Sequence, residues 1–160
     1  MATDFLLEID GIKGESKDDK HKETIEVSSF SWGASNPGSF AGGGGGGAGK
    51  VNFQDITFSS TVSKASPLLF LACATGQHIK KATLFVRKAG GDQQDYYKIV
   101  LEDVLVSSIQ HMGAEGQGMA NESFSINYAK VKLEYFEQKP DGSIGGAVPF
   151  GYDLKANKKV

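Results

Sequence analysis

The side chains here that could do chemistry fall into few groups: a glycine run closed by a lysine, three histidines, some paired acids, one cysteine and scattered serines. Residues 44–50 read G-x-x-x-x-G-K, most of a phosphate-binding loop. The next residue is Val51, where that motif needs a hydroxyl for magnesium. Residues 51–58 then alternate as strands, whereas the motif holds phosphate at the N-terminus of a helix. Nucleotide binding is therefore not expected. His21, His78 and His111 lie on separate turns or strand ends with no metal partner at ligand spacing, so each is expected to be a surface or structural residue. Glu102 and Asp103 are neighbours on a predicted strand and point to opposite faces, which makes them unlike a catalytic dyad. Asp18-Asp19 sits in a mixed-charge stretch that reads as a solvated loop. Cys73 is alone, so no intramolecular disulfide can form, and its apolar surroundings predict a buried, inert thiol. Ser31 lacks a G-x-S-x-G context. No nucleophile–base pair, metal cluster or redox pair emerges, and the reading is of a protein with no catalytic, cofactor-binding or metal residues.

Composition narrows the class further. The chain has 160 residues, which fits one domain over residues 1–160. Hydrophobic residues make up 39% and charged residues 22%, a globular balance. The net charge is −2, and the lysines and arginine are scattered singly, so no basic stripe marks a nucleic-acid surface. Lys155, Lys158 and Lys159 read as a solvated tail. The start, Met1-Ala2-Thr3-Asp4, has acid where a signal peptide needs base, and no stretch has the length of a membrane span. The chain is thus expected to be made in the cytoplasm and, if exported, to leave without a cleavable peptide and without membrane insertion.

The elements behind these residues are mostly strands, because alternation dominates over helical period. Phe5, Leu7 and Ile9 share one face, and Ile25 and Val27 continue the pattern. The parity then flips to Phe30 and Trp32, which predicts a bulge near Ser28-Ser29. The same flip separates Val51 and Phe53 from Ile56 and Phe58, and Phe124, Ile126 and Tyr128 from Val131, Leu133 and Tyr135. Ala82, Leu84 and Val86 pair through a turn at residues 89–92 with Tyr97, Ile99 and Leu101, an arm that can run on to Val104, Val106 and Ile109. Val148, Phe150, Tyr152 and Leu154 form the last strand, entered through Pro140-Asp141-Gly142 and Gly145-Gly146. One short helix is expected, with Ser66 as N-cap, Pro67 at the first helical position and Gly76 as its stop. Repeated flips suggest strands that bend from one sheet into another. The fold class is mainly β: a small β-barrel of two curved antiparallel sheets with one short helix packed on its side. Phe30, Trp32, Phe53 and Phe58 are expected in its core, not in a ligand groove.

Two connections are unusual: residues 33–49 and the glycine-rich stretch 113–118. Connections of the first kind usually have a function or are disordered.

Several short motifs together resemble the haemolysin-coregulated protein (Hcp) family of type VI secretion. They are Gly14-Glu15-Ser16-Lys17-Asp18, Ser31-Trp32-Gly33, the glycine run into Ala48-Gly49-Lys50-Val51, and Gln54-Asp55. Ala72-Cys73 with Gly76 and His78, Arg87-Lys88-Ala89-Gly90-Gly91, residues 104–108 and Gly151-Tyr152 complete the set. The resemblance covers nearly the whole chain and departs from the family mainly at residues 112–121. It implies a phage tail-tube-like barrel that forms hexameric rings. The rings would stack into a tube, capped by the spike protein VgrG and expelled by a contractile sheath, with effector proteins held in the lumen. A domain of this length has a diameter of about 39 Å, and six such spheres in a ring leave a hole of roughly 40 Å. The resemblance implies secretion through that apparatus to the medium or a target cell, and no enzyme activity. With the sequence ending at Val160, just after the last strand, no appended effector enzyme is expected. Of two rival readings, a ligand-binding barrel would keep a concave apolar pocket and stay monomeric, and a hydrolase would need a nucleophile–base pair, which the sequence does not show.

Within that scheme, Ser31 and Ser29 are expected on the face opposite Phe30 and Trp32, lining the channel and touching effector. Phe40, Gly42, Gly43, Gly44, Gly45, Gly46, Gly47 and Lys50 are expected to form an arm to a neighbouring subunit or ring. An arm rich in glycine orders only where the contact repays its entropy.

Overall fold

The structure is a computed structural model that describes residues 3–38, 50–88 and 93–160. Its strands run in chain order as β1 (Thr3–Ile9), β2 (Ile25–Val27), β3 (Ser29–Ser31), β4 (Ala34–Ser35), β5 (Asn52–Phe53) and β6 (Ile56–Thr61). The helix α1 (Ser66–Thr75) comes next, then β7 (Ile79–Lys88), β8 (Asp95–Met112), β9 (Asn121–Gln138), β10 (Ile144–Asp153) and β11 (Lys158–Lys159). All pairings are antiparallel, in the order β11-β10-β9-β8-β7-β1-β2, with β3 on β6 and β6 on β9. A separate two-stranded ribbon joins β4 and β5.

The expected parity flip at Ser28-Ser29 is where the sheet turns its corner. Ile25–Val27 pairs with β1 and Ser29–Ser31 pairs with β6, so one bent segment passes between two partners. Ser28 fixes the corner, since both its N–H and its hydroxyl donate to the Ser59 carbonyl at 2.8 Å. The flip between Phe53 and Ile56 has a different cause. It separates β5, in the small ribbon, from β6, in the main sheet.

The flip within β9 is a bend, not a bulge. Glu102 opposes Lys130 and Val104 opposes Tyr128, so register holds across it. Asp103 has a φ of 53°, and this left-handed residue rotates the ribbon so that Leu101 and Val104 both face the core. The β8–β9 register slips only later, between Val106 and Ser108.

The core is continuous. Leu7, Ile25, Ile56, Phe58, Leu69, Leu84, Ile99, Leu101, Phe124 and Ile126 are all essentially inaccessible. Phe58 and Phe124 stack at its centre, 5.3 Å apart. Phe30, Trp32 and Phe53, expected inside, are half-buried and pack on the core from its edge. Phe30 and Phe53 lie on strands only two or three residues long, and Trp32 follows the end of β3, so these segments are too short to be covered on both sides.

The helix departs from expectation by one residue. Ala65 is the N-cap and Ser66 is already helical, which moves Pro67 to the second position. The Ser66 hydroxyl accepts the Ser63 N–H at 3.0 Å, so it closes the preceding turn and does not cap forward. Gly76 ends the helix as expected, at a φ of 62°. The turn expected at residues 89–92 lies outside the described residues, but β7 and β8 pair on either side of it as a hairpin, with Arg87 opposite Asp95.

Candidate functional site

The face of the sheet turned away from the core carries a field of small hydroxyls. Ser29 and Ser31 are exposed on β3, on either side of the half-buried Phe30. Phe30 orients the strand by packing its ring on Phe5 at 5.5 Å and Tyr97 at 6.2 Å. Across the ladder, Ser31 opposes Thr57, Thr57 opposes Ser125, and Ser125 opposes Ser108. The parallel row runs Ser29, Ser59, Ser123 and Gln110. Paired residues share a face, so four strands carry one uncharged polar face, within which Ser125 itself is buried.

Part of this surface is internally bonded. Ser125 contacts the Ser108 hydroxyl at 2.5 Å and the Ser107 hydroxyl at 2.7 Å. Ser107 and Asn127 also donate to the two oxygens of Asp55, at 2.7 and 2.9 Å. The Asp55 carboxylate is thereby held at the margin of the field. Next to it, the Trp32 indole donates to the Tyr128 hydroxyl at 2.6 Å, and Tyr128 donates to the Gln54 carbonyl at 2.8 Å. Burial pushes the Tyr128 hydroxyl up to about 12, so it remains a donor at every physiological pH. This relay ties the segment after β3 to the barrel.

The sequence reading named Ser29 and Ser31 and missed Thr57, Ser59, Ser108, Ser123 and Ser125. The signal was present. Hydroxyls interleave the core residues Ile56 and Phe58 on one strand and Phe124 and Ile126 on another.

The described residues flanking the expected arm pair as the β4–β5 ribbon, where Ala34 opposes Phe53 and Gln54 N–H donates to the Gly33 carbonyl at 2.9 Å. Lys50 is exposed just before β5, and the element after it is a strand, which removes the phosphate-loop geometry. Phe40, Gly42, Gly43, Gly44, Gly45, Gly46 and Gly47 lie outside the described residues.

Each histidine sits against a carboxylate. His21 reaches Asp95 at 3.1 Å and stacks on Phe85, and His78 reaches Asp103 at 3.0 Å in an exposed pair. His111 reaches the fully buried Glu122 at 2.8 Å, where Ser60 also donates at 3.2 Å. Both donors end on the same carboxylate, so this group lacks the serine-to-imidazole bond that activates a nucleophile. Among the described residues no three potential metal ligands come together. Cys73 is half-buried, not fully enclosed as expected, because α1 packs on the barrel by one side only.

Arg87 is the most enclosed cation. Its guanidinium is held by Asp4 at 3.1 Å and by both carboxylate oxygens of Asp18. The Arg87 hydrogen bond draws the Asp18 carboxyl down to about 2, against a smaller opposing effect of burial, and the Lys20 and His21 amides assist. The contact clamps the loop between β1 and β2 onto β7. At the base of that loop a side chain on Gly14 would stand 2.4 Å from the Thr24 carbonyl, which explains glycine in the first motif.

Residues 6–135 match the family model described as "Type VI secretion system effector, Hcp". The chain is also 45% identical over 159 residues to the protein Hcp1 of Pseudomonas aeruginosa, with 98% of each covered. It belongs to the Hcp family. That family comprises structural, secreted tube proteins of type VI secretion. The fold agrees: a solved type six secretion system protein superposes with a TM-score of 0.94 at 33% identity, covering 99% of this chain and all of that one. Hcp1 of Salmonella typhimurium superposes with a TM-score of 0.82 at 37% identity over the full length of both. The hydroxyl field is thus a surface of an Hcp barrel. Among the described residues no helix is long and apolar enough to cross a membrane.

Proposed function

We propose that this Hcp chain, as one domain, is the structural subunit of the inner tube of a type VI secretion system. In this reading the subunits close into hexameric rings and the rings stack. The VgrG spike caps the stack, sheath contraction drives it out of the cell, and the lumen carries effector proteins. The full-length likeness to Hcp proteins carries the reading. The hydroxyl field supports a place for Ser31 and Ser29 on the channel wall. A wall that passes varied cargo needs hydrogen-bonding groups without a deep apolar grip or a fixed charge. Stacking contacts would come from loops, with Phe40, the glycines 42–47 and Lys50 reaching a neighbour.

Sedimentation of the purified protein at micromolar concentration tests the assembly. A species of six subunits is expected, and a lone 17.0 kDa species would overturn the reading.

A further inference from the structure

A closed ring of more than two copies joins head to tail, so each subunit must offer two unlike surfaces that fit each other. Among the described residues, two exposed apolar patches meet that need. The first is the outer side of α1, where Leu68, Phe70 and Leu71 are 43%, 42% and 57% exposed while Leu69 and Ala72 pack inward. The helix has no charged residue. Leu68 and Leu71 stand one turn apart and form a ridge.

The second patch is the core face of the sheet continued past the core. The buried Ile99 opposes Leu133, which opposes Phe150 on β10, and Tyr97 opposes Tyr135, which opposes Val148. Along these rows exposure climbs to 40% at Phe150, 45% at Tyr135 and 64% at Val148. Beyond β10 the ladder offers only the two-residue β11, which pairs at Tyr152 and Asp153. Phe53 reaches Phe150 at 6.4 Å between ring centres, and among the described residues the apolar face runs out of cover at Val148. Soluble monomers seldom leave contiguous patches of this kind open.

Their placement suits a ring. Phe70 of the first patch meets His111 near the end of β8, at 4.6 Å between ring centres. The second patch pairs through Tyr97 near the start of β8. The strand between Tyr97 and His111 has a contour of about 46 Å, so the patches occupy opposite ends of the β8–β9 ribbon.

We infer that the Leu68–Phe70–Leu71 face of α1 on one subunit docks on the Tyr135–Val148–Phe150 patch of the next copy of this chain. This rests on the ring assembly proposed above and names the surfaces that close it. Leu71→Asp and Val148→Asp change exposed positions and leave the core intact. Each variant alone should sediment as a single subunit with an unchanged far-ultraviolet spectrum. Mixed in equal amounts, they should stop at a heterodimer. The Val148→Asp chain keeps its helix face and the Leu71→Asp chain keeps its sheet face, while the other junction would oppose two aspartates. The milder pair, Leu71→Ser and Val148→Ser, should each raise the concentration at which rings dissociate at least about tenfold, as expected for one buried aliphatic side chain per junction. Rings that persist in either aspartate variant, or a mixture that stays monomeric, would overturn the docking while leaving the ring itself in place. A wild-type chain that forms no ring would instead overturn the assembly on which the docking rests.

Discussion

Before the bend at Asp103 the β8–β9 ribbon turns a charged face outward, and beyond it a nearly uncharged one. On the first stretch Lys98 opposes Glu134, Val100 opposes Lys132 and Glu102 opposes Lys130, the last pair 3.8 Å apart. On the second stretch Leu105 opposes Asn127, Ser108 opposes Ser125 and Gln110 opposes Ser123. The inner faces differ less, since both are closely packed and mostly apolar, with the buried Glu122, bonded to His111 and Ser60, as the charged exception near the end of the second stretch. Solvent contact alone would be satisfied equally well by charges throughout. The change at Asp103 therefore marks a second demand on the outer surface, and passage of varied cargo is one that a field of small hydroxyls meets. A fixed charge would hold one class of cargo and repel another.

The largest expected effect tests the shared core beneath both stretches. Phe124→Ala should cost about 3–5 kcal/mol in denaturant unfolding, through lost contact with Phe58 and the cavity left behind. A cost below about 1 kcal/mol would mean that the hydroxyl stretch is not held by that core.

Next is the clamp at Arg87, which belongs to the charged side of the molecule. Asp18→Asn should cost about 3 kcal/mol, because it leaves an enclosed guanidinium with Asp4 as its remaining acid. The wild type should also show acid sensitivity here. The Asp18 carboxyl lies below its ordinary 3.8, so its contribution is whole above that pH and is lost as pH falls toward about 2. Unfolding curves through that interval should slope for the wild type and lose this component in Asp18→Asn. Equal slopes in the two proteins would show that the clamp does not act through this carboxylate.

The bend itself gives a smaller effect. Asp103→Val places a branched side chain at a left-handed φ and should cost about 1–2 kcal/mol, whereas Asp103→Gly should be neutral or stabilising. Equal costs for the two would mean that the bend does not depend on this backbone conformation.

The smallest stability effects belong to the outer faces, and there function separates the two stretches. Ser31→Gln and Lys132→Gln should each change stability by less than about 0.5 kcal/mol. Effector co-purification should fall for Ser31→Gln and hold for Lys132→Gln. Equal retention by both variants would remove Ser31 from the channel wall.

Much of this arrangement was legible in the sequence, and for a specific reason. Where large and small residues alternate, as in Ile56-Thr57-Phe58-Ser59, side-chain size alone assigns the faces. The corner at Ser28 was visible because the alternation reverses within one short run. The bend at Asp103 was not assigned, since a left-handed aspartate leaves the same parity signal as an inserted residue. Phe30, Trp32 and Phe53 were placed too deep, because alternation reports which face a residue takes and not how far the sheet extends beyond it. The same limit hid the uncovered patch on β10. Val148 and Phe150 alternate like core residues, and only the strand order shows where cover from the described strands ends. The Ser66 cap was misplaced by one residue because a hydroxyl at that position can bond backward to Ser63 as readily as forward.

Electron micrographs of the purified wild-type protein test the central claim most directly. Class averages should show sixfold rings with an open centre roughly 40 Å across, the hole expected for six domains of this size in contact. Fields holding only compact particles about 39 Å wide, with no central hole at any concentration, would contradict the tube assignment.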